Sequence, residues 1–466
     1  MLNTSPAVPF SSLALTPAML TNLEQLGYHD MTTIQASSLP LILEGRDLIA
    51  QAKTGSGKTA AFGIGMLHKL NPSYFAIQGL VLCPTRELAD QVANELRRIA
   101  RGTENIKILT LCGGAAMRAQ IASLEHGTHI VVGTPGRIRD HIGRGTINLA
   151  TVQTLVLDEA DRMVDMGFYE DIEGIISACP SRRQTLLFSA TYPDDIRRAS
   201  ARFLRDPAEV KVQAQHDGDK IEQRFFEVSA DQRNMAVATL LQHYQPVSTL
   251  AFCNTKIHCR ELAEELRALG FSALALYGDL EQRERDEILV QFANQSCSVL
   301  VATDVAARGL DIASLSAVIN VDVTRDTEVH IHRIGRTGRA QEKGLALNLC
   351  IPTEKRWVKL IEQYQKAPVQ WFDLKALEID DNKVLRAPMR TLCIQGGKKD
   401  KLRPGDLLGA LTGEIGLSKE QVGKINVFEF STYVALDYRI AEQAYTRLSN
   451  GNIKGRNFKM RLMRTA

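Results

Sequence analysis

The chain has 466 residues, a hydrophobic share of 44%, a charged share of 23% and a formal net charge of +3. This length predicts about three domains of typical size, and the composition is that of an ordinary soluble globular protein. No run of about 18 apolar residues occurs, and the N-terminal segment has no basic region followed by an apolar one, so we expect neither a membrane span nor a signal peptide.

The eight cysteines are scattered along the chain, without a CxxC pair or a Cys/His cluster at zinc-binding spacing. We therefore expect them to be reduced core residues of a cytoplasmic protein.

The net charge is unevenly distributed. Residues 387–466 contain fourteen Lys or Arg and seven Asp or Glu, which gives +7, whereas the preceding residues carry −4. A basic terminal module on a slightly acidic body indicates either an appendage that binds a polyanion or a merely soluble basic domain. Charge alone leaves both interpretations open.

Short β-rich runs alternate with helical stretches, and this alternation predicts parallel sheets with crossover helices. After the short apolar piece 48–50, the runs of the first group are residues 79–83, 106–110, 129–132, 154–157 and 184–188. A polar stretch over residues 213–219 then breaks the pattern and is typical of an interdomain linker. We therefore predict a first α/β domain at residues 1–212.

A second group of similar size and layout follows the linker. Its runs are residues 249–252, 273–276, 298–301, 317–321 and 345–349. An amphipathic helix is predicted over residues 261–269, where Leu262, Leu266 and Leu269 share one face. The pattern changes near residues 380–388, so a second α/β domain is predicted at residues 220–380.

Residues 388–466 follow an α+β pattern. Two apolar runs, residues 427–430 and 433–436, flank Ser431 and Thr432. A helix is predicted over residues 440–448 and a final strand over residues 458–463.

A glycine-rich segment from Ala52 to Thr59 precedes a helical stretch. Its glycines let backbone N–H groups converge on phosphate oxygens without a Cβ clash, and the following helix N-terminus favours negative charge. Lys58 would neutralise the β- and γ-phosphates, and the Thr59 hydroxyl would ligate magnesium. The predicted phosphate-binding residues are Thr54, Gly55, Ser56, Gly57, Lys58 and Thr59.

Two acids, Asp158 and Glu159, stand at the end of a predicted strand about a hundred residues later. Alone, such an acidic segment would more often be a solvated turn, but together with the glycine-rich segment it predicts a nucleotide site. Asp158 would hold magnesium through water, and Glu159 would orient or deprotonate the attacking water. Ser189 and Thr191 close the next predicted strand, where their hydroxyls could bond these acids or the neighbouring domain.

The segment from His332 to Arg339 is rich in Arg and His, which is usually typical of a solvated basic face. Gly335 and Gly338 argue against a simple surface helix. Arg336 and Arg339 can then act as fingers on the γ-phosphate that stabilise transition-state charge, and His332 joins them in the predicted catalytic set. Because Lys58 and Arg336 belong to different α/β halves, we expect the active site to assemble only when those halves close.

These motifs, in this order, resemble the DEAD-box family of ATP-dependent RNA helicases over about residues 10–350. Phe10 and Gln35 match the family's adenine-reading motif, which implies ATP rather than another nucleotide. Residues 302–311 match the motif that contacts both RNA and nucleotide, so Gly309 and Asp311 would lie at the nucleotide, Asp311 near the ribose. The RNA-backbone residues that the resemblance implies are Thr85, Arg86, Gly114, Thr134, Arg137 and Thr303.

The resemblance also implies a fold and a mechanism. Two RecA-like parallel-sheet domains in tandem would clamp single-stranded RNA along its sugar–phosphate backbone when ATP and Mg²⁺ are bound. Bending of that strand would open a short duplex locally, and hydrolysis would release it. Contacts to phosphate and 2′-OH groups would favour RNA over DNA without sequence preference, so no DNA or membrane partner is expected.

Residues 388–399 and 401–416 resemble the C-terminal module of bacterial DbpA-type helicases. The resemblance implies a small α+β domain like the RNA-recognition motif, which would bind a 23S ribosomal RNA hairpin near the peptidyl-transferase centre and act on pre-50S particles in large-subunit assembly. The positions where such a fold stacks bases hold Cys393 and Tyr433, so stacking on the sheet face is doubtful.

Four basic residues of a glycine-rich loop, Lys398, Lys399, Lys401 and Arg403, are better candidates for RNA phosphate contact in this domain, although they could also be a solvated loop. Tyr433 and Phe430 are either RNA contacts or core residues. The sequence thus leaves three functions open: a helicase that remodels ribosomal RNA, an ATP-gated RNA clamp without productive unwinding, and a general RNA helicase with a non-specific basic tail.

Overall fold

The computed structural model describes residues 8–52, 55–192, 197, 200–212, 221–307, 315–338, 344–379 and 385–463. These residues form two compact units, which divide between residues 212 and 221. The predicted linker, residues 213–219, lies outside the described residues. Within the described part of the chain, no helix is long and apolar enough to cross a membrane.

The first unit contains a short antiparallel strand pair, β1–β2, and a seven-stranded sheet formed by β3 to β9. The strands are β1 (Val8–Pro9), β2 (Asp30–Met31), β3 (Leu48–Gln51), β4 (Gly79–Leu82), β5 (Ile108–Leu111), β6 (Ile130–Gly133), β7 (Thr154–Asp158), β8 (Gln184–Ser189) and β9 (Ala208–Lys211). The order across the large sheet is β5-β6-β4-β7-β8-β3-β9, and every neighbouring pair is parallel.

Helices connect these strands. Within the described residues of the first unit they are α1 (Pro17–Gln25), α2 (Thr33–Leu43), α3 (Lys58–Lys69), α4 (Arg86–Ile99), α5 (Met117–Leu124), α6 (Pro135–Gly143), α7 (Ala160–Asp165) and α8 (Tyr169–Ser177). The sheet is buried on both faces, since Val81 packs into one apolar cluster while Leu80 and Leu82 pack into another. Continuous apolar runs are therefore the signature of its central strands.

The second unit begins with another seven-stranded parallel sheet. Its strands are β10 (Ile221–Glu227), β11 (Thr249–Cys253), β12 (Ala273–Leu276), β13 (Val299–Thr303), β14 (Ala317–Asn320), β15 (Gly344–Cys350) and β16 (Trp371–Phe372), in the order β12-β13-β11-β14-β15-β10-β16. Its described helices are α9 (Arg233–Tyr244), α10 (Lys256–Ala268), α11 (Gln282–Ala293), α12 (Asp304–Ala307), α13 (Thr327–Ile334) and α14 (Lys355–Gln365).

A four-stranded antiparallel sheet follows in the same unit. Its elements are β17 (Met389–Ile394), α15 (Pro404–Gly409), a π-helical turn (Ala410–Glu414), β18 (Val422–Val427), β19 (Thr432–Asp437), α16 (Ala441–Asn450) and β20 (Met460–Leu462). The strand order β18-β19-β17-β20 with this βαββαβ succession is a ferredoxin-like arrangement, which RNA-recognition motifs share. The predicted fold, two parallel α/β sheets in tandem plus a small α+β domain, is confirmed.

The predicted apolar runs of the two large sheets all overlap observed strands. In the C-terminal domain, the apolar run at residues 427–430 does not form a strand along its length. The strand there is β18, which ends at Val427, and residues 428–431 form the turn to β19. Phe428 donates its backbone N–H to Ser431 O at 2.8 Å, which closes this turn. The apolar residues of the turn therefore do not continue the strand.

The C-terminal sheet has one face covered by its own helices and another covered by α11. Leu392 and Val434 point toward the helices of the domain. Cys393 and Tyr433, one residue further along each strand, point the opposite way and are buried in a cluster with Val290 of α11 and Met463.

Polar contacts also hold the C-terminal sheet against α11. Thr391 Oγ1 lies 2.7 Å from Ser296 Oγ just beyond α11. Arg461 of β20 donates to Glu287 Oε1 of α11 at 2.7 Å. The sheet face on which RNA-recognition motifs stack bases is thus occupied by the protein itself.

One close contact in the first unit gives a stability prediction. Gly65 of α3 faces Ile42 of α2, and an added Cβ would overlap Ile42 Cγ2. We expect Gly65→Ala to destabilise the first unit by about 1–3 kcal/mol through overpacking, although Ala is the better helix former. Urea unfolding followed by circular dichroism measures this change.

A matched control is Gly143→Ala at the end of α6, where an added Cβ meets open space. Both tryptophans, Trp357 and Trp371, lie in the second unit, so tryptophan fluorescence should report an unchanged transition in both variants. Equal stability of Gly65→Ala and the control would contradict the described α2–α3 contact.

Candidate active site and nucleic-acid interface

The glycine-rich segment joins β3 to the start of α3. Gly57 is the N-cap of α3 with φ +96°, and an added Cβ would lie 2.5 Å from Gln35 Nε2. Gly55 also has positive φ, +79°. Both conformations favour glycine, and they leave N–H groups at a helix N-terminus, where an anion binds favourably. Lys58 is buried and donates to Ala52 O at 2.9 Å, and Thr54 lies outside the described residues.

The first turn of α2 is tied to this segment through side chains. Gln35 accepts the backbone N–H of Thr32 at 2.9 Å and donates to Gly57 O at 3.1 Å. Thr32 Oγ1 donates to Ser56 O at 2.8 Å. Phe10 is buried and packs edge-on against Tyr28, with ring centroids 6.1 Å apart. Gln35 therefore positions the phosphate segment directly, while the adenine contact of Phe10 and Gln35 stays a prediction.

The two acids stand where β7 ends. Asp158 is its last residue, and Glu159 has the left-handed conformation with φ +53°, which is rare for a residue with a side chain. Asp158 Oδ1 and Glu159 Oε2 are buried without a hydrogen bond, although Arg162 Nε lies 3.3 Å from Glu159 Oε2. Burial raises the pKa of Asp158 to about 7, against the lowering effect of the Lys58 charge.

Buried carboxylate oxygens without hydrogen-bond partners, close enough to the Lys58 charge to feel it, fit a divalent cation. Hard cations such as Mg²⁺ take carboxylate and hydroxyl oxygens as ligands, and their charge reverses the desolvation effect on a buried acid. Asp158 and Thr59 are the residues that could hold such an ion.

Ser189 and Thr191, at the end of β8, contact a third acid, Asp161, which lies two residues after Glu159. Asp161 Oδ2 accepts both the backbone N–H and the hydroxyl of Thr191, each at 3.0 Å. Ser189 Oγ accepts the Asp161 backbone N–H at 3.3 Å. The Thr191 hydroxyl thus bonds the carboxylate of Asp161, and the Ser189 hydroxyl bonds the main chain of the same residue. Their predicted coupling between domains stays a prediction.

The RNA-backbone residues of the first unit lie beyond the ends of three other strands. Thr85 follows β4 and caps α4, Gly114 follows β5 with φ +77°, and Thr134 follows β6 as the N-cap of α6. Arg86 begins α4, and its Nε lies 3.7 Å from Asp90 Oδ2. Arg137 of α6 donates to Ala115 O at 2.9 Å, which joins the loops after β5 and β6.

The strand order divides this sheet edge into two halves. The phosphate segment and the acids follow β3 and β7, with β8 between them, whereas the predicted RNA residues follow β4, β6 and β5. Parallel strands bring all of their carboxyl ends to one edge, where ligands of open α/β sheets bind. The fold thus places the two predicted sites side by side.

In the second unit, Thr303 ends β13, His332 lies in α13 and Arg336 is buried just beyond α13. Gly309, Asp311 and Arg339 lie outside the described residues.

Sequence reasoning missed Arg333, which is almost fully buried. It donates to both carboxylate oxygens of Asp304 at 2.6 and 2.7 Å, to Asn254 Oδ1 at 2.9 Å and to Asp322 O at 2.8 Å. These partners follow β13, β11 and β14, so one guanidinium ties three strand ends to α13. Its position between Ile331 and Ile334 in a helical segment was the available signal for burial.

In the C-terminal domain, the four predicted basic residues are exposed. Lys398 and Lys399 begin a 3-10 turn (Lys398–Asp400), Lys401 follows with φ +60°, and Arg403 is the N-cap of α15. Tyr433 is core, whereas Phe430 is 69% exposed, so the core alternative is wrong for Phe430.

Three family models match the chain. They are described as DEAD/DEAH box helicase over residues 32–199, Helicase conserved C-terminal domain over residues 232–341 and DbpA RNA binding domain over residues 391–462. The chain is 52% identical over 456 residues to ATP-dependent RNA helicase DbpA of Escherichia coli (strain K12), which covers 98% of this chain and 99% of the relative.

A second relative, DEAD-box ATP-dependent RNA helicase CshA of Bacillus cereus (strain ATCC 10987 / NRS 248), is 44% identical over 370 residues, 79% of this chain and 70% of the relative. Among solved structures, S. cerevisiae Dbp5 bound to RNA and ADP BeF3 gives a TM-score of 0.73 at 29% identity and covers 79% of this chain and 96% of that chain.

The chain therefore belongs to the DEAD-box family of ATP-dependent RNA helicases, which are RNA-stimulated ATPases. Its C-terminal part is of the kind found in DbpA helicases, and RNA is its partner. The predicted family and enzyme class are confirmed.

The Arg333 network gives a second stability prediction. We expect Arg333→Lys to destabilise the second unit by about 2–4 kcal/mol, because an ammonium cannot reach acceptors on three strand ends and leaves buried groups unpaired. Urea unfolding followed by tryptophan fluorescence reports this unit. Arg283→Lys is the matched control, since the Arg283 side chain is 77% exposed. A midpoint shift no larger than that of the control would contradict the network.

Proposed function

We propose that this helicase remodels 23S ribosomal RNA during assembly of the large ribosomal subunit, with a hairpin near the peptidyl-transferase centre and pre-50S particles as its partners. The observation that carries the proposal is the match of residues 391–462 to the DbpA RNA binding domain, within a segment of net charge +7. Identity of 52% along nearly the whole chain supports the same assignment.

The proposed division of labour follows the predicted domains. Residues 1–212 would hold ATP and one part of the RNA backbone, residues 220–380 would supply the arginines, residues 213–219 would link them, and residues 388–466 would select the RNA. The eight cysteines are buried and free, which supports a reducing compartment, the cytoplasm.

The proposed chemistry is phosphoryl transfer from ATP to water. Lys58 and the N–H groups around Gly57 would bind the phosphates, while Thr59 and Asp158 would hold Mg²⁺, which would neutralise phosphate charge. Glu159 accepts the proton of the attacking water. From the predicted domain at residues 220–380, Arg336 and Arg339 would stabilise the charge on the γ-phosphate, with His332 in the same set, and Gly309 and Asp311 would bind near the ribose.

The proposed RNA contacts of the core explain why a separate targeting domain is needed. Thr85, Gly114, Thr134, Arg137 and Thr303 present hydroxyl, N–H and guanidinium groups, which bind phosphate and sugar. Such contacts position an RNA strand but carry no sequence information. Choice of target would then come from the C-terminal domain.

For the chemical step, we expect Glu159→Gln to lower RNA-stimulated ATP turnover about 100-fold or more while ATP still binds, because the amide cannot accept the water proton. Phosphate release and calorimetric ATP titration measure the two quantities. Glu170→Gln is the control, since Glu170 is exposed at the start of α8 and should leave turnover unchanged. Retained turnover in Glu159→Gln would overturn the role given to Glu159.

For the target, we expect the 23S hairpin to stimulate ATPase activity at about tenfold lower concentration than an unrelated hairpin of the same length. The double change Lys398→Glu and Lys399→Glu should remove this preference by turning phosphate attraction into repulsion. Lys419→Glu is the control, because Lys419 is exposed in a 3-10 turn (Lys419–Gln421) just before β18, at the opposite end of that strand from the aromatic side chains.

Three outcomes would count against parts of the proposal. Equal stimulation by both hairpins would favour a general helicase with a non-specific tail. Equal stimulation by a DNA strand would contradict the backbone contacts through 2′-OH groups. Hydrolysis without displacement of a short duplex would favour an RNA clamp.

A further inference from the structure

The exposed rings of Phe428 and Phe430 lie in the turn that joins β18 to β19, which we name the aromatic turn (residues 428–431). We propose that this turn is a stacking platform for unpaired bases of the bound RNA hairpin, set beside the basic turn at residues 397–401. The inference deepens the proposed function, since it rests on RNA binding by the C-terminal domain.

The two turns are held together by main-chain hydrogen bonds. Lys398 donates its N–H to Phe428 O at 2.8 Å, and Lys399 donates its N–H to Glu429 O at 3.0 Å. Thr432 Oγ1 donates to Gly396 O at 2.7 Å. These bonds fix the backbone that carries the lysines against the aromatic turn, so the two turns are adjacent before any ligand binds.

Gly397 allows the basic turn to lie so close to the aromatic turn. A Cβ on this residue would overlap Phe428 O and would lie 2.6 Å from Glu429 O. The backbone of Gly397 is extended, so its requirement for glycine comes from this contact and not from its φ angle. A residue with a side chain would push the basic turn away from the aromatic turn.

The rings are placed for contact with a partner. Phe430 is 69% and Phe428 is 43% exposed, and neither belongs to the core cluster of the domain. Phe428 is also oriented, because it packs edge-on against Tyr433 with centroids 5.7 Å apart. Single exposed apolar residues are common, but two rings on one turn beside a basic turn are the combination that single-stranded RNA binders use.

Charge favours RNA over an apolar protein partner at this end of the sheet. Lys398, Lys399 and Lys401 are exposed on the basic turn. The acidic residues of the two turns are Asp400, which accepts the backbone N–H of Gly397 at 3.0 Å, and Glu429. Cations interleaved with aromatic rings match the phosphates and bases of one strand.

The usual stacking surface is covered because the C-terminal sheet packs on α11. Cys393 and Tyr433 on the open sheet face are buried against Val290 of α11. Bases that the domain recognises must therefore contact another surface, and among the described residues of this domain the aromatic turn offers exposed rings beside lysines.

The test uses the full-length chain and a 23S hairpin near the peptidyl-transferase centre, with binding followed by fluorescence anisotropy. We expect Phe430→Ala to weaken binding about tenfold and Phe430→Trp to retain it, because stacking needs a ring. The slope of affinity against salt concentration should be unchanged in Phe430→Ala, since no phosphate contact is lost. Tyr438→Ala, an exposed ring beyond the other end of β19, is the control.

A fluorescent base analogue in the hairpin loop distinguishes loss of base stacking from a general loss of binding affinity. Its emission should be quenched by the wild-type chain and by Phe430→Trp, and much less by Phe430→Ala at saturating protein. Unchanged affinity and quenching in Phe430→Ala would overturn the inference, as would a loss in Phe430→Trp equal to that in Phe430→Ala.

The failure of the inference can be told from that of the proposed target. If wild type prefers the 23S hairpin and Phe430→Ala does not change binding, the stacking platform fails and the target stands. If wild type binds 23S and unrelated hairpins equally and Phe430→Ala weakens both, the target fails and the platform stands.

Discussion

A buried carboxylate oxygen without a hydrogen-bond donor is costly, and the first sheet places one at the end of β7. Asp158 Oδ1 is in this position, and burial raises the pKa of the Asp158 carboxyl to about 7 despite the nearby charge of Lys58. The surrounding structure must hold it there. The parallel sheet does so because β7 lies between β4 and β8, and the left-handed Glu159 turns the chain sharply after the last strand residue. A cation and phosphate groups would supply the missing partners.

The same sheet edge serves the predicted RNA contacts, and this proximity has a physical consequence. β4 and β7 are hydrogen-bonded neighbours, with Leu82 opposite Leu157. The loop with Thr85 and the acid at position 158 are therefore separated by about one strand spacing, roughly 5 Å. A shift that improves the contacts of one loop moves a neighbour of the other. The proposed RNA contact at Thr85 and the proposed ATP contact at Asp158 therefore follow neighbouring strands of the sheet.

Much of the fold was predictable because the central parallel strands contain continuous apolar runs. Runs such as Leu80–Leu82 are buried on both faces, and the motifs follow them directly. The strands that sequence reasoning did not predict are mainly edge or near-edge strands. β9 and β16 are sheet edges, β10 adjoins one, and β18 is the edge of the C-terminal sheet. Such strands are half exposed, so their apolar signal is weak.

The site residues divide along a similar line. The glycine-rich turn before α3 and the acids at a strand end could be predicted because they follow from residue type and spacing, whereas the part played by Arg333 could not. Its role depends on Asn254, Asp304 and Asp322, which are distant in sequence and meet only after three strands align. The burial of Tyr433 likewise depends on α11, which belongs to another sheet.

The docking of the C-terminal domain constrains where it can bind RNA. A small four-stranded sheet with two helices has one face for its own core and one open face, and here the open face rests on α11. What remains for a ligand are the helix exteriors and the loop ends. At one loop end, Gly397 allows two turns to touch, which concentrates lysines and rings that would otherwise be separated. RNA binding there loses little conformational entropy of the two turns, because the main-chain hydrogen bonds between them already exist in the free protein. A domain whose sheet face is committed to the helicase core can in this way still present a rigid surface to RNA.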